Sequence, residues 1–308
     1  MKKLIRIGTR ESQLAVWQAV HVQKLLAENG FESELVHIKS EGDIDLQTPL
    51  YEMGVQGIFT RSLDIALLND AIDIAVHSMK DVPTQLPKGI VQAAVLKRAS
   101  YKDLFVYKGN INFLNDLNST AVIATSSIRR KAQWLNRYPN HIVENLRGNV
   151  NTRLKKVADS NWNGAIFAAA GLERIELRPE RSVELDWMLP APAQGAITIA
   201  CKEDDSYSLV ACQLLNDTDT ELCTKTERDF LRALLGGCST PISALAEIKN
   251  NELIFKGNIL SIDGKDKLAI EKRVSIKDID NLGTKAAHEL LNNGGQKIAD
   301  SIRNGGKD

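Results

Sequence analysis

Arginines and hydroxyl residues gather where strand-like segments of the sequence end. The segment "IATSSIRRKAQW" places Thr125, Ser126, Ser127, Arg129 and Arg130 where a strand is expected to become a helix. Free backbone N–H groups at a helix start, hydroxyls and guanidinium groups all favour anions. Because guanidinium groups bind planar oxyanions through two parallel hydrogen bonds, this pattern predicts a site for carboxylates or phosphates.

Three further segments, "IGTRESQ", "VHSMKDVP" and "LRGNVNTRL", repeat this arrangement at strand ends or turns. They contribute Arg10, Ser12, Ser78, Lys80, Arg147 and Arg153. Open α/β sheets bind ligands at the carboxyl ends of their strands, so all four segments are expected to face one cleft. A lone arginine is more often a solvated surface residue, but four such segments together weaken that explanation.

The segment "VHSMKDVP" also carries an aspartate among these cations. Asp81 follows Lys80 directly, and Pro83 holds the following chain extended. Turn statistics alone would accommodate Asp81 as a turn-forming or capping residue. In the functional alternative, Asp81 is a carboxylate kept ionised among cations, where it stabilises a transient positive charge or carries a proton.

The amino-acid composition limits which classes of protein the chain can belong to. The chain has 308 residues, and its 39 lysines and arginines balance 39 aspartates and glutamates. No global field therefore attracts nucleic acid or membranes. The four cysteines form no CxxC pair, and neither a metal-ligand cluster nor a dinucleotide fingerprint is visible. With no signal peptide and no apolar run of about 20 residues, a cytoplasmic protein with free thiols is expected.

Strands alternating with helices predict an α/β fold of two doubly wound, mostly parallel domains, like those of periplasmic binding proteins. A small α+β domain is expected to follow, with a meander of strands, an Asp-Gly turn at 263–264 and a closing helix from 283 to 304. The predicted boundaries are 1–98 with 196–214 for domain 1, 101–190 for domain 2 and 216–308 for domain 3. The polar stretch 41–59 is long for a loop, which indicates a functional or mobile segment.

The segment "LLGGCSTPI" at 234–242 places a thiol on a tight turn at the end of a helix. Two glycines precede Cys238, and a proline follows it three residues later. A thiol kept on such a turn is available for chemistry, whereas the other three cysteines lie in strand or helix patterns that favour packing.

Together with "IGTRESQLAVWQA", "DIAVHSMKDVPT", "ATSSIRRKAQ", "LRGNVNTRL" and "LPAPAQGAI", this motif resembles the hydroxymethylbilane synthase (porphobilinogen deaminase) family. The six motifs run in the family's order from residue 7 to about 242. The resemblance implies a transferase that joins four porphobilinogen molecules head to tail and releases ammonia at each step. The product it implies is linear hydroxymethylbilane, made for tetrapyrrole biosynthesis.

The resemblance also implies a dipyrromethane cofactor, made from the substrate itself, one per chain and joined by a thioether to Cys238. It matches Asp81 to the catalytic aspartate. The residues it implies for the cofactor are Ser78, Lys80, Thr125, Ser126, Ser127, Arg129, Arg130, Arg153 and Gln194. Those it implies for substrate are Arg10, Ser12, Gln18, Arg147, Gly148 and Arg153. The departures from the family's usual residues, Gln56, Ala124, Asn151 and Ala193, touch neither Asp81 nor Cys238, so an active enzyme is expected.

A binding module is the main alternative, because two α/β domains joined by two crossings also resemble ligand-clamping receptors. Such a receptor would need an export signal, and it would need neither Cys238 nor Asp81. A catalytically inactive relative would be expected to lack those two residues, and both are present. Porphobilinogen is therefore the expected partner of a monomeric protein.

Overall fold

The computed structural model describes residues 3–39, 60–234 and 240–303. Its strands are β1 Ile5–Thr9, β2 Ser33–His37, β3 Ile74–Ser78, β4 Ile90–Val95, β5 Asp103–Tyr107, β6 Val122–Ala124, β7 Ile142–Glu144, β8 Gly164–Ala168, β9 Ser182–Glu184, β10 Ile197–Lys202, β11 Ile242–Lys249, β12 Glu252–Leu260 and β13 Lys267–Ser275. Its α-helices are α1 Gln13–Glu28, α2 Arg61–Leu68, α3 Ile128–Arg137, α4 Val150–Asp159, α5 Ala169–Glu173, α6 Ser206–Gln213, α7 Thr218–Leu234, α8 Leu282–Leu290 and α9 Gln296–Arg303.

The first sheet has the strand order β2-β1-β3-β10-β4. Strand β1 pairs in parallel with β2 and β3, whereas β10 is antiparallel to both β3 and β4. Helix α1 covers one face because Ala19, Val22 and Leu26 recur at helical spacing, and all three are buried. Since β1 and β3 run the same way, the residues that follow them lie at one edge of the sheet.

The second sheet repeats this topology, with the order β7-β6-β8-β5-β9. Strands β6, β7 and β8 are parallel, and β5 is antiparallel to its neighbours β8 and β9. The expectation of mostly parallel sheets is confirmed, since four of the five described strands in each sheet run the same way and one is reversed. These strands, β5 and β10, are the ones that the chain enters after crossing from the other sheet.

The third unit is an antiparallel sheet, β11-β12-β13, packed against α7 and α8. Its core includes Phe230 and Phe255, whose rings meet edge to face at 5.1 Å. The predicted closing helix is wrong in one respect, because α8 and α9 are separated at Asn293 and Gly294, where Gly294 has φ +106°. The three sheets and their helices confirm the predicted fold class.

One buried carboxylate joins the third unit to both crossings, here defined as residues 96–102 and 185–196. Glu227 on α7 is completely buried. It accepts hydrogen bonds from Arg98 Nη1 at 2.6 Å and Nη2 at 3.1 Å, and from the backbone N–H groups of Ala193 at 2.6 Å and Ala246 at 2.7 Å. Four donors satisfy a charge that would otherwise be costly to bury.

Removal of this charge is expected to destabilise the fold. Glu227→Gln leaves Arg98 buried without a counter-charge, so the free energy of unfolding should fall by about 3–5 kcal/mol. Denaturant unfolding followed by circular dichroism measures this change. The matched control is Glu271→Gln on β13, because that side chain is 59% exposed and lies 3.7 Å from Lys256. The control should change stability by less than about 0.5 kcal/mol, and equal losses in the two variants would contradict the assignment.

Candidate active site

The predicted binding segments lie at two sheet edges. Arg10 follows β1 directly, and Lys80 and Asp81 lie on a short 3-10 helix, Met79–Asp81, that follows β3. Gln18 on α1 joins this edge, since its Nε2 donates a hydrogen bond to Ser78 Oγ at 2.9 Å. Arg10, Ser78, Lys80 and Asp81 are all partly exposed. The ends of two parallel strands of the first sheet therefore carry Arg10 on one side and Lys80 with Asp81 on the other.

Two of the predicted hydroxyl groups cap helices. Ser12 accepts from the backbone N–H of Ala15 at 3.4 Å and begins α1. Ser127 accepts from the backbone N–H of Arg130 at 3.4 Å and begins α3, while its own N–H donates to Thr125 Oγ1 at 3.2 Å. This capping places the two arginines in the first turn of α3, beside the ends of β6 and β8.

Asp103 holds the two neighbouring arginines of α3 together. The carboxylate is completely buried; its Oδ2 lies 2.8 Å from Arg129 Nη1, and its Oδ1 accepts from Arg130 Nε at 3.0 Å and Nη2 at 2.7 Å. Arg130 also donates to the carbonyl of Ile166, and Arg129 donates to that of Leu189. Burial alone would raise the pKa of Asp103, but the two guanidinium groups outweigh it and hold the pKa well below its usual range.

Gln194 links this cluster to the first sheet. Its Nε2 donates to Asp103 Oδ1 at 3.0 Å and to the carbonyl of Tyr101 at 2.8 Å. Its Oε1 accepts from Lys80 Nζ at 3.5 Å, which is a long hydrogen bond. The side chain of Gln194 thus lies between the lysine of one sheet edge and the arginine cluster of the other.

The cation at Lys80 is only weakly compensated. Burial, together with the charges of Arg130 and Arg129, lowers its pKa to about 8, and the charges of Asp81 and Asp103 oppose this change. Since the ordinary pKa of a lysine is about 10.4, Lys80 loses its positive charge more readily than a surface lysine. A negatively charged ligand at this point would restore the charged form.

Arg153 brings a further cation to the same place. Its Nε donates to the carbonyl of Gly148 at 2.6 Å, in a turn where Gly148 has φ +115°. Burial, together with the charges of Arg130 and Arg147, lowers the pKa of Arg153 to about 10, and the charge of Asp81 acts in the opposite sense. The hydrogen bonds that Gln194 makes with Lys80 and Asp103 join the two sheet edges, and the charge of Asp81 on one edge acts on Arg153 of the other.

These residues fit a ligand that carries several carboxylates. Among the described residues, two carboxylates, Asp81 and Asp103, act on Lys80, Arg129, Arg130 and Arg153. The buried Nε of Arg129 makes no hydrogen bond within the same part of the chain. Uncompensated cations and an unused buried donor are what a poly-acid pyrrole cofactor would satisfy.

Sequence reasoning missed four residues of this region, Arg98, Asp103, Arg174 and Glu227. Arg174 donates to the carbonyl of Gly195 at 2.7 Å and lies over the ring of Trp17, and burial lowers its pKa to about 10. For Glu227 alone, the sequence held a usable signal. Glu227 occupies an otherwise apolar helical stripe with Cys223, Phe230 and Leu234, so a buried partner for its carboxylate could have been inferred.

The expectations for Cys238, Gln56 and residues 41–59 lie outside the described residues. The three described cysteines are all free and buried. Burial raises the pKa of Cys201 to about 11 and those of Cys212 and Cys223 to about 12, so their thiols are poor nucleophiles.

Within the described ranges, no helix is long and apolar enough to cross a membrane. The same residues contain no group of histidine, cysteine, aspartate and glutamate suited to a metal ion.

Fold and site together define an α/β protein with a cluster of cations where two sheet edges meet. Comparison with models of protein families identifies the family within this class. Residues 5–209 match "Porphobilinogen deaminase, dipyromethane cofactor binding domain", and residues 221–292 match "Porphobilinogen deaminase, C-terminal domain". The chain belongs to the porphobilinogen deaminase family, whose members are transferases of tetrapyrrole synthesis, and its cofactor is dipyrromethane.

Solved structures of solute-binding proteins are also similar to this chain. The methionine-binding protein MetQ is 16% identical, with 70% of this chain and 91% of that protein covered and a TM-score of 0.44. An ancestral cationic amino acid solute-binding protein is 15% identical, with coverages of 69% and 87% and a TM-score of 0.44. An arginine-specific periplasmic binding protein of Salmonella typhimurium is 11% identical, with coverages of 71% and 94% and a TM-score of 0.40.

The lowered pKa of Lys80 predicts a pH dependence of cofactor assembly. As the pH rises through about 8, Lys80 in the cofactor-free protein loses its charge and holds carboxylates less well. The rate at which this protein acquires dipyrromethane from porphobilinogen should therefore fall above that pH. Lys80→Arg should shift this fall to higher pH, because guanidinium stays charged.

Lys102→Arg is the matched control, since Lys102 pairs with Asp186 at the surface and its pKa is raised. The control should show the same fall in rate as the unmodified protein. A Lys80→Arg variant that assembles at a measurable rate with an unshifted pH profile would remove Lys80 from this role.

Proposed function

We propose that this protein joins four porphobilinogen molecules head to tail, releases four molecules of ammonia and, by addition of one molecule of water, frees linear hydroxymethylbilane. The observation that best supports this proposal is the group of cations around Asp103 and Asp81, in a chain that belongs to the porphobilinogen deaminase family. Each porphobilinogen unit brings an acetate and a propionate group, so a growing chain needs many positive partners. One carboxylate at the same place suits the positive charge that develops during the reaction.

The cations divide into two groups in this proposal. Family resemblance assigns Lys80, Arg129, Arg130 and Arg153 to the cofactor carboxylates, with Ser78, Gln194 and the run Thr125–Ser127 beside them. Arg10, Ser12, Gln18, Arg147 and Gly148 serve the incoming substrate, together with Arg153. The position of the cluster at facing sheet edges supports this assignment, because ligands of doubly wound sheets bind at such edges.

Asp81 is the catalytic residue in this proposal. When bound, the dipyrromethane supplies the electron-rich pyrrole carbon to which the first incoming unit is joined. The C–N bond of the protonated aminomethyl group of porphobilinogen (–CH2–NH3+) breaks, and ammonia leaves with the bonding electron pair, so a positive charge remains on the incoming pyrrole. The Asp81 carboxylate stabilises the positive charge left on the incoming pyrrole, and its oxygens then accept the proton that the new bond displaces.

Cys238 is the proposed point of attachment, through a thioether to one dipyrromethane per chain. The burial of Cys201, Cys212 and Cys223, with their raised thiol pKa values, supports this choice. A cytoplasmic location, a monomeric state and the domain boundaries 1–98 with 196–214, 101–190 and 216–308 are further proposals from the sequence.

Asp81→Asn tests the reaction itself. The amide keeps the shape of the side chain but neither carries charge nor accepts a proton in the required way, so bilane formation should slow by at least about 100-fold. The measurements are bilane, closed and oxidised to porphyrin for absorbance, and ammonia, which should appear at four per bilane. Asp159→Asn, at the exposed end of α4, is the matched control and should keep full activity.

Two results would contradict the proposal. Near-normal bilane formation by Asp81→Asn would remove Asp81 from catalysis. Unmodified protein that releases no ammonia from porphobilinogen would exclude the reaction.

A further inference from the structure

Arg228 reaches from the third unit to the segment that carries Asp81. The residue lies on α7, next to Glu227, and is partly buried. Its Nη1 donates to the carbonyl oxygens of Met79 at 3.2 Å and Val82 at 2.9 Å, and its Nη2 donates to that of Pro83 at 2.6 Å. One guanidinium group therefore contacts the backbone on both sides of Asp81.

The segment Met79–Pro83, here called the Asp81 turn, has little internal support. Its 3-10 helix contains three residues, and the hydrogen bond that closes it joins the Val82 N–H to the Met79 carbonyl at 3.2 Å. Short 3-10 helices have poor hydrogen-bond geometry, and Pro83 has no N–H to donate. External donors to the carbonyls of this turn thus have a large influence on its conformation.

The base of the Arg228 side chain is itself firmly held. The neighbouring Glu227 is bound by Arg98 and by two backbone N–H groups, which fixes this part of α7 against both crossings. A planar guanidinium group on a firmly held helix can bind three carbonyl oxygens in a defined arrangement. A flexible side chain with a point charge would restrain the turn less.

We propose that Arg228 is a positioning residue for the reaction, because it fixes the Asp81 carboxylate by holding the backbone of the Asp81 turn. This inference rests on the proposed role of Asp81. It adds a residue of α7, outside the two sheets that bear the cationic cluster, to the determinants of the reaction rate. Loss of the Arg228 guanidinium group should displace the Asp81 carboxylate without removing any cation that faces Asp103.

The first test compares three variants of the cofactor-loaded protein. Arg228→Met removes the donors and keeps the side-chain length, so kcat should fall by about 10–100-fold while KM changes by less than about threefold. Arg228→Lys should recover part of the rate, since an ammonium group still donates to these carbonyls. Arg232→Met is the matched control one turn later, where the arginine is 46% exposed and pairs with Asp229, and it should keep full activity.

A double-mutant cycle separates positioning from general destabilisation. In an Asp81→Glu background the longer carboxylate no longer depends on the native turn geometry, so Arg228→Met should lower kcat by less than about twofold. A merely structural role would lower the rate by the same factor in both backgrounds, which would overturn the proposal. A kcat for Arg228→Met within twofold of the unmodified protein would also overturn it.

Hydrogen exchange tests the contact independently of activity. In Arg228→Met the peptide that contains residues 76–86 should exchange faster than in the unmodified protein, whereas Arg232→Met should leave it unchanged. Unchanged exchange in Arg228→Met would contradict the anchoring of the turn. If the proposed function itself fails, unmodified protein forms no bilane, but the exchange difference still reports on Arg228.

Discussion

The site depends on the buried carboxylate of Asp103, which compensates two adjacent guanidinium groups at the start of α3. Without it, Arg129 and Arg130 would repel each other in a region from which water is largely excluded, and burying them would cost several kcal/mol. Asp103 begins the strand that the chain enters after its first crossing, so the path of the chain between the sheets also places the counter-charge. Because one carboxylate faces two arginines, positive charge remains for ligand carboxylates.

The third unit is part of this arrangement. Its helix α7 carries two adjacent residues with different targets, since Glu227 binds both crossings and Arg228 binds the Asp81 turn. Helix α3, beside the second sheet, also meets the third sheet, where Gln133 donates to Ser243 Oγ at 3.0 Å. Gly264 at the tip of the β12–β13 hairpin packs so closely on α3 that an added Cβ would lie 2.4 Å from the carbonyl oxygen of Ala132. The third unit therefore contacts the elements that carry both halves of the site.

Local signals were readable from the sequence, and long-range pairs were not. The segments with Ser12 and Ser127 were placed where a strand gives way to a helix, and α1 and α3 begin there, because such local signals act within a few residues. Asp103 and Arg98 were missed, since their partners lie 26 or more positions away in the chain. Gly294 ends a helix that periodicity alone would continue, and the reversed strands β5 and β10 follow from crossings whose geometry the sequence does not encode locally. The left-handed backbone of Ala193, with φ +62°, was foreseen only as a departure from the family's glycine.

The most direct test of the central claim is the mass of the tryptic peptide 233–249, which contains Cys238. In protein purified from cells that make porphobilinogen and shown to form bilane, this peptide should be heavier than its sequence by one dipyrromethane. The peptides with Cys201, Cys212 and Cys223 should be unmodified. Active protein with an unmodified thiol at position 238 would contradict the account.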